Sequence, residues 1–122
     1  MSPINFDILR AEYPEYGEIW PRLQRWFKKN WRKKYVELSV LLRAIPDVNK
    51  MDLIMAIHAM IEDGMLATAY KFRAPDGDLL DGEFEEPDQV PKELPSRDYS
   101  HWVPTDSGDI VSGYKWDPAL AS

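Results

Sequence analysis

Cysteine is absent from this chain, which removes disulfides, thiolate nucleophiles and thiolate metal ligands from its chemistry. Histidine is nearly absent: His58 and His101 lie far apart, and the one ligand-type side chain at helical spacing from His58 is Glu62, a pair that would need outside help to hold a metal. No apolar run approaches the ~18 residues that cross a bilayer. The first twenty residues lack a basic segment followed by an apolar one, so the chain is expected to stay where it is made, in the cytoplasm. No glycine-rich phosphate loop is present, and neither Ser39 nor Ser107 sits in a nucleophile-elbow context. Asp76, Asp78, Asp81 and Glu83 suggest calcium, but counting from Asp76 puts Leu80 fifth and Asp81 sixth, where the loop needs an oxygen ligand and a glycine. These absences argue against catalysis; no catalytic residue, metal or cofactor is expected.

What is present is a chain of 122 residues, 44% hydrophobic and 30% charged, enough for one modest soluble core. Its net charge of −6 conceals a polarity. Residues 1–50 hold ten Lys/Arg against six Asp/Glu, giving +4, while residues 51–122 hold five against fifteen, giving −10. Such a molecule can pair head to tail with a second copy, making a homo-oligomer, or dock an oppositely charged surface; uneven solvation is the plainer reading.

Along the chain, Ser2-Pro3 reads as the cap and first position of a helix reaching Arg10 or Glu12, with Ile4, Ile8 and Ala11 on one face. The segment EIWPRLQRWFKKNWRKK (18–34) is amphipathic at 100° per residue: Ile19, Trp20, Leu23, Phe27 and Trp31 fall inward, Arg22, Arg25, Lys28, Lys29 and Arg32 outward, and Trp26 lies at the boundary. Residues 34–38 alternate like a short strand. Ser39 is expected to cap a helix over 40–45 with Leu41, Leu42 and Ile45 inward, and Asn49 a longer one over about 50–63 that leaves through Gly64. A strand over 65–73, a turn at Ala74-Pro75-Asp76-Gly77 and a return strand over 78–84 follow, with a bulge or bend at Asp81-Gly82. Beyond Glu85, five prolines forbid long helices. Residues 87–122 therefore read as an extended acidic arm packed on a domain spanning 1–86, with 109–116 able to add a strand.

The order of helix, short strand, two helices and a two-stranded wing resembles a winged helix-turn-helix domain, a three-helix core with a wing. Leu38, Leu41, Leu42, Ile45, Leu53, Ile57, Ile61, Gly64, Met65 and Leu66 carry the likeness. The stretch GDLLDGEFEEPDQVP is similar to the wing exit of small winged-helix modules that accompany effectors in bacterial defence systems. The resemblance implies an α+β fold and, in many members, DNA reading by the third helix. The residues at that helix speak otherwise: Leu53, Ile54, Ile57, Met60 and Ile61 turn inward, leaving Met51, Asp52, Met55, Ala59, Glu62 and Asp63 outward with His58 at the edge. Base and phosphate contacts draw on Arg, Lys, Asn and Gln, and this face has none; Lys50 stands alone at its tip. Methionines suit an adaptable protein contact, so Met51, Asp52, Met55, Ala59 and Glu62 are the candidate protein-binding residues of a non-enzymatic adaptor or regulatory subunit. Cover by the carboxy-terminal arm is the competing reading.

The second candidate is the run of seven cations between Arg22 and Lys34. It can grip nucleic-acid phosphates with a tryptophan stacking on bases, lie on an anionic membrane, dock an acidic protein, or simply face solvent over an aromatic core. The membrane reading is the poorest, because the apolar stripe is needed to close the fold. The nucleic-acid reading enlists Arg22, Arg25, Lys28, Lys29, Arg32, Lys33 and Lys34, with Lys71 and Arg73 on the wing.

Overall fold

The structure is a computed structural model that describes residues 1–118. Its fold is mixed α+β. In chain order it comprises α1 (Phe6–Glu12), α2 (Trp20–Asn30), β1 (Tyr35–Glu37), α3 (Leu38–Ala44), α4 (Lys50–Glu62), β2 (Ala67–Arg73), β3 (Glu93–Pro95), β4 (Trp102–Pro104) and β5 (Asp109–Lys115), with 3-10 turns at Pro14–Tyr16, Trp31–Lys33 and Pro87–Gln89. Three strands form a sheet in the order β1-β5-β2, and β3 and β4 form a separate antiparallel pair in which Leu94 faces Val103. By its contacts the chain divides into two compact units, residues 1–67 with 114–118, and residues 68–113. That grouping runs across the expected 86/87 boundary.

The first unit is built on the aromatic stripe of α2. Ile19, Trp20, Leu23 and Phe27 are buried there, as the helical spacing requires. Pro21 occupies the first turn, where a missing N–H leaves nothing unsatisfied. The expected helix over 18–34 is shorter at both ends: Trp31–Lys33 tightens to a 3-10 turn, and Lys34 takes a left-handed φ of 63° that sends the chain into β1. Trp116 completes this core from the far end of the chain. Its ring meets Phe27 edge-on at 4.9 Å, and its indole N–H donates to the Trp31 carbonyl at 3.1 Å.

Two more helix starts differ from expectation. α1 begins at Phe6, because the Asn5 carboxamide accepts from the Asp7 and Ile8 amides, while the Ser2 amide bonds the Gly64 carbonyl instead. The buried face of α1 is therefore Phe6 and Leu9; Ile8 and Ala11 are exposed and Ile4 is half-buried. α3 starts at Leu38 directly from β1, with extended Glu37 before it, so Ser39 lies inside the helix and caps nothing. α4 keeps its expected start: the Asn49 side chain accepts from the Asp52 amide at 3.1 Å. It ends at Glu62, and Gly64 leaves with φ of 72°. The Met65 and Leu66 amides both return to the Met60 carbonyl, which completes the helix exit and delays β2 to Ala67.

The second unit has its own small core of Phe72, Ala74, Leu80, Leu94 and Val103. The turn after β2 forms as expected, with the Gly77 amide on the Ala74 carbonyl and Gly77 at φ 95°. Its return is not a continuous strand. Residues 78–84 touch β2 through isolated bridges, Arg73 to Leu79 and Tyr70 to Phe84, and Gly82 at φ 115° bends the chain between them. From Pro87 to Pro104 the proline-bearing segment folds into this unit as the β3–β4 pair, burying Leu94 and Val103. The expected strand over 109–116 is present as β5. Residues 119–122 of the expected arm lie outside the described residues.

Candidate functional site

Helix α4 presents an exposed stripe one residue wide at spacings of four, three and four: Met51, Met55, His58 and Glu62, with Asp52 on its margin. Met51 is 63% and Met55 44% exposed, high values for apolar side chains. The His58 imidazole Nε2 lies 3.2 Å from Glu62 Oε1, an ion pair when the ring is protonated. Leu53, Ile57 and Met60 are buried behind the stripe, and Ile54 and Ile61 are half-buried. Ala59 is a correction. It is buried rather than outward, because its flank of the helix is covered. There the Tyr13 hydroxyl donates to Asp63 Oδ1 at 2.9 Å. The neighbouring carboxylate of Asp63 raises both the Tyr13 phenol and the Glu12 carboxyl above their ordinary values, chiefly through side-chain hydrogen bonding.

Beside the amino-terminal end of α4 lies an open cleft of about 450 Å³ lined by Glu15, Glu18, Asp47 and Asp52 among others. Its ionisable lining is entirely acidic. The α4 surface is thus two methionines framed by carboxylates.

The basic surface is distinct. Arg25, Lys28, Lys29, Arg32, Lys33 and Lys34 are exposed along α2 and the turn after it. Arg22 is committed elsewhere: it donates to Asp47 at 2.7 Å and to the Glu18 carbonyl at 2.6 Å. That bond holds the Asp47 carboxyl below the usual carboxylate range. The Arg32 guanidinium stands 5.0 Å over the Trp31 ring. A smaller cleft of about 180 Å³ opens on this flank, lined by Arg22, Arg25, Trp26, Lys29, Ala44, Ile45 and Asp47. Trp20 is fully buried and unavailable for stacking, whereas Trp26 and Trp31 are half-buried. Lys71 and Arg73 are half-buried on β2 in the second unit.

In the second unit, Ser96 and Ser100 hydroxyls and the Ser100 amide all donate to Asp98, lowering its carboxyl to about 2. This network closes the loop between β3 and β4. The Asp76 carboxylate accepts from the Asp78 amide at 2.9 Å, and the Tyr99 hydroxyl donates to Asp81. Among the described residues no group of three or more His, Asp or Glu side chains is placed to hold a metal ion. Nor is any helix among them long and apolar enough to cross a membrane.

The sequence reading missed Asp47 and the Ser96–Asp98–Ser100 loop. The Arg22–Asp47 pair spans 25 residues and leaves no local signal. The alternation Ser-x-Asp-x-Ser in residues 96–100 is a turn signature that does give one. No protein-family model, curated protein or solved structure matches the chain.

Proposed function

We propose that this chain is a non-enzymatic winged-helix module that docks another protein through the exposed stripe of α4, serving as an adaptor or regulatory subunit of a larger complex. A bacterial defence complex is the setting that the sequence resemblance implies. Support for the winged-helix part is the succession α2-β1-α3-α4-β2, with β5, which follows only after the β3–β4 pair, lying between β1 and β2 in the sheet. On that reading α4 stands where such domains place their groove-reading helix. The observation that carries the function is what α4 exposes there: Met51 and Met55, bordered by Asp52 and Glu62, with no arginine or lysine beyond Lys50. Carboxylates repel phosphates, while solvent-exposed thioethers are stabilised by covering them with apolar surface. The fitting partner presents an apolar knob ringed by lysine or arginine, which the acidic cleft at Glu15, Glu18 and Asp52 would also attract.

The test is affinity purification from the native cell of wild type against Met51→Lys/Met55→Lys. The wild type is expected to retain a stoichiometric companion that the variant loses while keeping its own thermal midpoint. Equal recovery with both proteins, or a companion with neither, refutes the reading.

A further inference from the structure

We infer that the cleft on the basic flank of α2 binds one nucleotide unit of a single-stranded nucleic acid, with the cations beyond it tracking the phosphates that follow. The site is separate from the α4 stripe and does not depend on it.

Four observations lead there. First, the cleft holds three cations and one carboxylate, and Arg22 neutralises Asp47 at 2.7 Å. Arg25 and Lys29 remain, one helical turn apart and exposed, able to grip a single phosphate together. Second, Trp26 lines the same cleft. Its ring is fixed from within by edge-on contacts with Phe27 at 5.1 Å and Trp116 at 6.0 Å. A rigid indole beside paired cations suits a base next to its phosphate, because every base offers a ring face one nucleotide unit from its charge, whereas an acidic side chain offers charge alone. Third, Lys28, Arg32, Lys33 and Lys34 carry the positive surface past the cleft, matching a ligand that continues. Fourth, about 180 Å³ falls below the roughly 300–1,000 Å³ of pockets that enclose a whole small molecule, so the cleft suits a piece of a chain rather than a free nucleotide. A duplex keeps its bases stacked inward and offers Trp26 nothing. The overall charge of −6 repels polyanions at long range, so attraction is confined to this face, and its phosphate contacts make binding fall with salt.

The experiment is fluorescence anisotropy of the full chain with a labelled 12-nucleotide single strand, an abasic strand of equal length, the matched duplex, and a mononucleotide competitor. With about three phosphates neutralised, the single-strand salt dependence gives roughly a 20-fold loss of affinity between 50 and 200 mM salt. Losing one base stack should weaken the abasic strand about fivefold or more. Arg25→Gln/Lys29→Gln, both exposed and safe for folding, is expected to weaken the single strand more than tenfold, with Lys92→Gln as the unchanged control. The inference is overturned by absent binding at 50 mM salt, by equal affinity for the abasic strand or the duplex, by an inert double variant, or by a mononucleotide that competes as well as the strand. It is equally overturned if nucleic acid fails to bind and sedimentation slows as salt rises, since the basic face then takes the acidic half of a second copy.

Discussion

An added Cβ at Gly108 would overlap the Arg73 carbonyl oxygen and come within 2.6 Å of Phe72 Cζ. One partner is backbone and cannot swing away, so Gly108→Ala is expected to destabilise the protein by about 1–3 kcal/mol in urea unfolding, as overpacking does. Nothing local to Gly108 in the sequence announces this, because the crowding comes from residues more than thirty positions earlier. Asp98 makes a pH prediction. Its folded carboxyl sits at about 2 against an ordinary 3.8, so its contribution to stability is complete above about pH 4 and is lost as pH falls through 2. Ser100→Ala removes the leading donor. Carboxyl-carbon NMR titration should then show the Asp98 value rising toward the ordinary one, and the acid loss of stability shrinking; an unmoved value would contradict the hydrogen-bond cause. Asp47 behaves in the same direction for a different reason, its guanidinium partner Arg22.

Helix α4 separates packing from docking. Leu53 is fully buried, so Leu53→Ala is expected to cost about 2–5 kcal/mol by thermal or urea unfolding. Met51→Lys/Met55→Lys should stay within about 0.5 kcal/mol per site, because both side chains already face water. Asn49→Ala removes the bond to the Asp52 amide and should cost about 1 kcal/mol. This helix was legible in the sequence almost to the residue. Its cap and its left-handed exit are local events, and its apolar spacing is strong. α1 and α3 were not: both start where the expected caps, Ser2 and Ser39, are not used. The Asn5 side chain caps α1 in place of Ser2, and α3 starts directly from β1, one residue before Ser39. Ala59 shows the same limit, since a helical wheel gives direction but not what covers it.

Across the molecule, two separate clusters of buried side chains underlie the two units. Phe72 is fully buried in the smaller one, and Phe72→Ala should remove about 3–5 kcal/mol of its packing. Hydrogen exchange read by mass spectrometry is expected to show amides of residues 68–113 losing protection while those of α2 and α4 keep most of theirs. Uniform loss along the chain would show one cooperative unit instead. The proline-bearing segment 87–104 reads as part of a trailing arm because its chief local signal is the prohibition of helix. Its burial of Leu94 and Val103 against Phe72 and Leu80 depends on partners 14–31 residues away.

By itself the sequence determined the α+β class, the aromatic stripe of α2, the cap and exit of α4, and a charge distribution that leaves α4 without an exposed arginine or lysine beyond Lys50. All are set by periodicity, capping and composition within a dozen residues. Only the tertiary structure decided that Trp116 closes the first core, that Asp47 neutralises Arg22, and that Ala44, Ile45 and Asp47 wall the cleft beside Arg25, Trp26 and Lys29. Those pairings join residues distant in the chain, and their energy comes from burial and charge proximity that no local pattern encodes.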